Sequence, residues 1–499
     1  MNRREIQPLQ TLKGRAMTPT DEQNKITEAA RTTDENLIVS ALAGAAKTST
    51  LVLIAEALPD TEMLCLAFNK KIATEMQERL PTNCKAMTLN SLGHRAWGDA
   101  IGRRLSLNTR KNGDILKSLI DKLDRRRQEE AYENYGEIVR AIAASKTCGY
   151  VPDSWPERSK RLMDDAEFFA WMDERPTALM EDLVARAAHE SLKQAFSGTI
   201  DFDDQILMPT VFSASFPRYP LVLIDEAQDL SALNHAMLAK IARRRLIAVG
   251  DRCQAIYGFR GAHENSMDLL EQQFDMRPLY LTISFRCPRA IVNSVKWRAP
   301  MMKYPEWAKE GSVKELKEWS VDDLPEDAVV ICRNNAPLFY LALRLLREGR
   351  YATILGNDIS KFLIKILKSL GKDNTPREKA LEALSLWKAE KLDKSRDPGK
   401  VNDQAACLKV FLDHAPDVGG AIAYAEKLFR MQGPITLMTG HKSKGLEFNN
   451  VFILDRDLLR LDHQQEQNLA YVMATRSKEN LTYITTAGML IEDDEDAEA

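Results

Sequence analysis

Short apolar runs recur along this chain: NLIVS (36–40), MLCLAF (63–68), LVLID (221–225), LIAVGD (246–251), LYLTIS (279–284), AVVICR (328–333) and VFILD (451–455). Unbroken apolar runs of this length suit strands covered on both faces, because a strand with one wet face alternates polar and apolar residues. Several are followed by helix-like stretches such as TSTLVLIAEAL, an alternation that predicts an α/β fold with parallel sheets. Between them lie two charged, strand-poor regions. Residues 92–199 contain KSLIDKLDRRRQEEAYENYGEIVRAIAA, and residues 358–432 contain FLIKILKSL and REKALEALSLWKAEKL, all helical by period. The 499 residues are enough for more than one core, so two α/β domains are expected, each interrupted by a mainly helical insertion.

Composition excludes several classes. No apolar run approaches the roughly 18 residues of a membrane span, and MNRREIQPLQ lacks the apolar centre of a secretory signal. The seven cysteines are scattered without a C-x-x-C pair, which argues against a disulfide framework or a zinc site and for a cytoplasmic protein. The net charge of −3 means that any nucleic-acid binding rests on local basic patches. No internal repeat is visible, and the closing IEDDEDAEA is expected to be a disordered, solubilising tail.

SALAGAAKTSTL (40–51) stands between a strand run and a helical run. That is where backbone N–H groups and a positive helix end can face phosphates. Lys47-Thr48 matches the end of G-x-x-x-x-G-K-[ST], in which the lysine reaches the β/γ-phosphates and the hydroxyl holds Mg²⁺. Of the expected glycines only Gly44 is present, with Ala46 before the lysine, so a strand–loop–helix junction with a solvated lysine is an equal reading of this stretch alone. YPLVLIDEAQD (219–229) is the stronger signal. It is an apolar strand ending in Asp225-Glu226, suited to binding a Mg²⁺ shell and polarising an attacking water.

IDEAQDL, followed by AVGDRCQAIYGFRGA (248–262), resembles the UvrD/Rep-like superfamily 1A DNA helicases. PTDEQNKI (19–26), LAFNKKIATEM (66–76), TLNSLGHR (88–95) and IDFDDQILMP (200–209) agree with that family in order. So do SFRCPRAI (284–291), ICRNNAPL (331–338), TLMTGHKSKGLEFNNVFIL (436–454) and NLAYVMATRSKENLTYI (468–484). AFNKKIA, DFDD and the compact length look most like the F-box DNA helicase branch and its phage or bacterial relatives.

The resemblance implies two RecA-like parallel-sheet motor domains and a cofactor pair of ATP and Mg²⁺. The first motor domain would be 1–91 with 200–277, its insertion 92–199; the second 278–357 with 433–490, its insertion 358–432; and 491–499 the tail. Ala43, Gly44, Ala45, Ala46, Lys47, Thr48 and Ser49 would cradle the phosphates, with Thr48 and Asp225 toward the metal and Glu226 toward the water. Ala46 is tolerable there if its φ is negative. Gln23 would read adenine, although Thr20-x-x-Gln23 is also a capping box. Gln254 would sense the γ-phosphate, and Arg286 and Arg476 would reach it from the second motor domain. Phe285 would meet the base and Glu447 the ribose.

For DNA, the matching positions are Phe68, Tyr257 and Phe259 as stackers, Arg260 as a link to the ATP site, and Asn90, His441 and Lys442 along the strand. Arg103-Arg104 and Arg125–Arg127 are candidates for touching duplex, or a solvated face. The expected activity is ATP-driven 3′-to-5′ translocation on single-stranded DNA with unwinding of forked duplex. The motor is expected to be monomeric and cytoplasmic, nucleoid-associated or in the host cytoplasm if phage-encoded, serving repair, recombination or replication. The alternatives are a translocase that strips proteins from DNA, and a non-catalytic DNA-binding module with a decayed ATP site. A helicase–nuclease is disfavoured because no nuclease-sized region follows Ile484.

Overall fold

The computed structural model describes residues 18–156, 160–172, 176–258, 265–355, 358–394 and 398–490. It divides into two compact units, Met1–Thr282 and Ile283–Ala499.

The first unit is built on a six-stranded sheet in which every pairing is parallel. Its strands are β1 (Asn36–Ala41), β2 (Met63–Leu66) and β3 (Cys84–Met87), followed after the helical insertion by β6 (Tyr219–Ile224), β7 (Ala242–Gly250) and β8 (Met276–Leu281). A short ribbon, β4 (Ser106–Leu107) beside β5 (Thr199–Ile200), closes the insertion. The sheet order is β3-β2-β6-β7-β1-β8. Because β8 pairs with β1 along its whole length, this unit extends to Thr282, past the boundary at 277 expected from the motifs. Leu37, Ile38, Val39, Leu64 and Val222 are fully buried, as strands covered on both faces require.

Helices Lys111–Ile120, Tyr135–Thr147 and Ala178–Phe196 dominate the insertion and carry a core of their own around Leu116, Ile142 and Leu183. Four buried charges join it to the sheet unit. Lys111 Nζ lies 2.6 Å from Asp204 Oδ2 and donates to the Ser191 carbonyl. Lys146 Nζ lies 2.5 Å from Asp201 Oδ2 and 2.9 Å from Asp204 Oδ1. Burial pulls Lys111 below its ordinary value, whereas at Lys146 the Asp204 and Asp201 charges outweigh burial and hold it above. Both aspartates belong to the IDFDD stretch, so the insertion is fastened to that one segment.

The second unit repeats the parallel architecture with β9 (Ser312–Glu315), β10 (Val329–Cys332), β11 (Ala352–Ile354), β12 (Ile435–Thr439), β13 (Phe448–Leu454) and β14 (Ser477–Ile484), ordered β11-β12-β10-β13-β14-β9. Four helices, Asp358–Leu370, Arg377–Lys394, Pro398–Asp413 and Val418–Arg430, stand between β11 and β12. Phe411 and Phe429 of this insertion meet Phe339 at centroid distances of 5.7 and 5.3 Å, so insertion and sheet share one core. Among the described residues no helix is long and apolar enough to cross a membrane. The expectations for 491–499 lie outside the described residues.

Candidate active site

Strand β1 ends at Ala41, and the helix α2 (Lys47–Ala57) begins after a five-residue loop, 42–46. The loop is tied at both ends: Leu42 N–H donates to the Leu281 carbonyl and Ala45 N–H to the Leu42 carbonyl, each at 3.0 Å. Gly44 takes φ 73°, a left-handed turn that glycine makes without penalty. Ala46 is also left-handed, at φ 56° and ψ 40°, so the condition of a negative φ is not met. Its carbonyl accepts Thr50 N–H at 3.0 Å and Thr50 Oγ1 at 3.1 Å, which starts α2 and fixes the bend. For a residue with a Cβ that conformation costs about 1–2 kcal/mol. Ala43 and Ala45 are buried.

Lys47 leaves α2 toward β6, the second strand over. Its Nζ donates to Glu226 Oε2 at 2.7 Å, and Thr48 Oγ1 donates to Asp225 Oδ2 at 3.1 Å. Burial works against the Lys47 charge, but Glu226, Asp251 and Asp225 outweigh it and hold the ammonium above its usual value. Burial, reinforced by the charge of Glu226, pushes Asp225 up to about 6 despite Lys47 and Thr48. Glu226 sits at φ 55° and ψ 45°, a left-handed non-glycine backbone of the kind held only where surroundings enforce it. From the end of β7, Gln254 Nε2 donates to Asp251 Oδ2 at 2.7 Å. Loop, acid pair and Gln254 are thus gathered at the carboxyl ends of neighbouring parallel strands, where open α/β sheets place their ligands.

Gln23 is buried and its amide is engaged: Oε1 accepts Thr20 N–H at 3.0 Å, and Nε2 donates to Thr50 Oγ1 at 3.1 Å. The capping box is therefore formed, and the same side chain braces α2. Ser49 Oγ accepts from Arg79 at 3.1 Å.

Among the residues expected to meet DNA, the rings of Phe68 and Tyr257 are parallel, 4° apart in plane and 6.0 Å between centroids, with Phe68 45% exposed. A cavity of about 80 Å³, room for about two waters, is lined by Phe68, Asn90, Asp225 and Glu226, among others. A stacking ring and the acid pair therefore border the same space. Asn90 Nδ2 is bound to the Phe202 carbonyl at 2.8 Å and to Gln205 Oε1 at 3.1 Å, so its amide braces 200–205. Arg103 and Arg104 are exposed; Arg125 and Arg127 are too, but pair with Glu129 and Asp124. Phe259 and Arg260 lie outside the described residues.

In the second unit, Arg286 Nε donates to Glu447 Oε2 at 2.7 Å, joining two expected nucleotide contacts to each other. Phe285 stacks on the exposed Trp307 at 6.2 Å and 25°. Arg476 is 1% exposed, and its guanidinium donates to the Val472 and Leu446 carbonyls and to Thr475 Oγ1. Its N–H groups thus serve the fold in this state, not an open surface. Lys442 Nζ donates to the Leu355 carbonyl at 3.2 Å, and His441 is half-buried one residue before it. Two buried side chains at the site, Gln228 and Asp251, were not singled out from sequence; both stand inside quoted motifs, and only their contacts mark them.

Two parallel six-stranded sheets, the first with a lysine-bearing loop against an acid pair, define a RecA-like α/β protein. The chain belongs to the UvrD/REP helicase family: the UvrD/REP helicase N-terminal domain matches residues 20–275, and the UvrD-like helicase C-terminal domain matches 434–484. It is 24% identical over 517 residues to F-box DNA helicase protein 1 of Schizosaccharomyces pombe, covering 93% of this chain and 57% of that protein. Similarity to the ATP-dependent DNA helicase PcrA of Leuconostoc citreum is 24% over 349 residues, 62% of this chain and 44% of that protein. The Gabija protein GajB of Bacillus cereus is 23% identical, over 54% of this chain and 64% of its own length. The chain spans about half the length of the first two of these relatives.

Proposed function

We propose that the protein is a DNA-stimulated ATPase that moves along single-stranded DNA, 3′ to 5′, and separates duplex ahead of it. The observation that carries this reading is the pairing of Lys47 with Glu226 and of Thr48 with Asp225. The phosphate-binding lysine and the acid it would expose are held 2.7 Å apart, so an arriving γ-phosphate can draw Lys47 away and leave Glu226 free to accept a proton from water.

The residues present fit Mg²⁺. Thr48 Oγ1 and the Asp225 carboxylate are hard oxygen donors 3.1 Å apart, and such a pair suits an ion that keeps several waters and takes phosphate oxygens as further ligands. When bound, the ion would neutralise charge on the β- and γ-phosphates. Asp225, Thr48 and Lys47 would hold and orient the phosphates, Glu226 would orient water, and Gln254 would report the terminal phosphate. Arg286 and Arg476 belong to the same proposal as further phosphate contacts, Arg476 after giving up its carbonyl partners. Phe68 and Tyr257 would stack bases, a sequence-tolerant grip worth about 1–3 kcal/mol per base.

The test is ATP hydrolysis with and without single-stranded DNA for the wild type, Lys47→Ala and Glu226→Gln, followed by unwinding of forks with opposite overhangs. DNA stimulation lost in both variants, with unwinding of the 3′-tailed fork, is the expected result. Hydrolysis equal to that of the variants, with DNA binding retained, would replace this reading with that of a binding module. Hydrolysis and protein displacement without unwinding would leave a translocase.

A further inference from the structure

Between Glu226 and Asp251 lies one buried amide side chain, Gln228. Gln228 is 1% exposed. Its Nε2 donates to Glu226 Oε2 at 2.6 Å, and its Oε1 accepts Asp251 N–H at 3.0 Å. Glu226 Oε2 is the same oxygen that receives Lys47. Asp251 in turn accepts from Gln254 through Oδ2, at 2.7 Å. One amide therefore links the acid after β6 to the loop after β7.

The surroundings are shaped around this amide. A Cβ at Gly250 would stand 2.6 Å from Gln228 Oε1, so the residue before Asp251 has no room for a side chain. The short 3₁₀ turn Ala227–Asp229 that carries Gln228 is anchored by Ser266 Oγ, which donates to the Ala227 carbonyl at 3.0 Å and is itself 3.0 Å from His235 Nε2. Glu226 has a left-handed backbone, and its carboxylate meets the Gln228 amide two residues on. Both ends of the side chain are thus fixed, and movement of the Asp251–Gln254 loop must displace it.

We infer that Gln228 is a positioning residue for hydrolysis, holding the Glu226 carboxylate in its working orientation and coupling it to the loop that carries Gln254. The inference rests on the reading of Glu226 as the group that activates water. When a terminal phosphate draws Lys47 from Glu226, the Gln228 amide still donates to the carboxylate and keeps it aimed. Losing an outer partner that orients a working side chain costs on the order of 10–100-fold in activity.

The test uses the full chain with Gln228→Met, which keeps the shape without polar atoms, and Gln228→Glu, which keeps an acceptor for Asp251 N–H but removes the donor. Thermal melts establish that each folds. The expected result is an unchanged KM for ATP and a kcat lower by about 10–100-fold in both variants. A role in folding alone would lower the melting temperature and leave kcat and KM of the folded protein unchanged; a kcat within about twofold of wild type in both variants would overturn the inference. Glu226→Gln run in parallel separates the two readings. If it hydrolyses ATP like the wild type, the assignment of Glu226 fails; if it is inactive while both Gln228 variants behave as wild type, only the coupling fails.

Discussion

Replacing Ala46 with glycine tests the phosphate loop directly. Ala46 occupies φ 56° and ψ 40°, a conformation that costs an L-residue about 1–2 kcal/mol and glycine almost nothing. Against that gain stands the larger backbone entropy that glycine loses on folding, roughly 0.5–1 kcal/mol. The difference predicts that Ala46→Gly stabilises the first unit by about 0.5–1 kcal/mol, or about 1–4 °C in Tm for a domain of this size. Urea unfolding should show a higher midpoint at unchanged m, the signature of altered stability without altered compactness. Ala45→Gly is the control, because Ala45 is 2% exposed and not among the positive-φ residues. It should lose about 1 kcal/mol from entropy and a vacated methyl. The bend is held by the bonds of the Ala46 carbonyl to Thr50 at the start of α2, which assigns the strain to the fold, so the Kd for a fluorescent ADP should change by less than about threefold in Ala46→Gly. A less stable Ala46→Gly protein would refute the conformational assignment. A Kd tightened tenfold or more would show instead that the left-handed bend forms only when phosphate arrives.

Three other perturbations follow from the same geometry. Asp225, pushed up to about 6, binds a proton in the folded state that the unfolded chain has already lost; stability therefore falls as pH rises from about 4 to 6. Asp225→Asn should remove that slope and stabilise the nucleotide-free protein at pH 8 by about 2–3 kcal/mol while hydrolysis is lost, as melts across pH will show. Asp204→Asn strips one charge from the pair facing Lys111 and Lys146, and breaking a buried pair costs about 3–5 kcal/mol, read as an early loss of the insertion in hydrogen exchange. Phe68→Ala should weaken single-stranded DNA binding by about 1–3 kcal/mol without changing the slope of log affinity against log salt, since stacking releases no counterions.

The strands that could be read in advance share one property. NLIVS, MLCL and LVLI are buried on both faces and hence unbroken in hydrophobicity. Strands that escaped, such as CKAM at one sheet edge and SVKE at another, carry exposed polar residues and signal little on their own. β8 was visible as LYLTIS, but its membership of the first sheet depends on pairing with β1 more than 230 positions earlier, which no local pattern encodes. The loop lysine and the acid pair were legible because each must end a strand or open a helix. The conformation of Ala46 was not, since the helix start that forces it overrides the preference of alanine. Gln23 carried two legible roles, and in the fold its amide is used by the capping box and by Thr50. Gln228 was hidden for another reason: its partners lie at separations of 2 and 23, and only the fold joins them.

The four buried charges beneath the first insertion also bear on how such a protein can be rebuilt. Lys111 and Lys146 are contributed by the insertion, while Asp201 and Asp204 lie on the returning segment beyond its last helix. A chimera cut at the ends of the helices would carry two lysines into a foreign socket or leave two aspartates behind. The exchangeable module is therefore the helices together with the segment through Asp204, and its outer surface can diversify while that four-residue root stays unchanged.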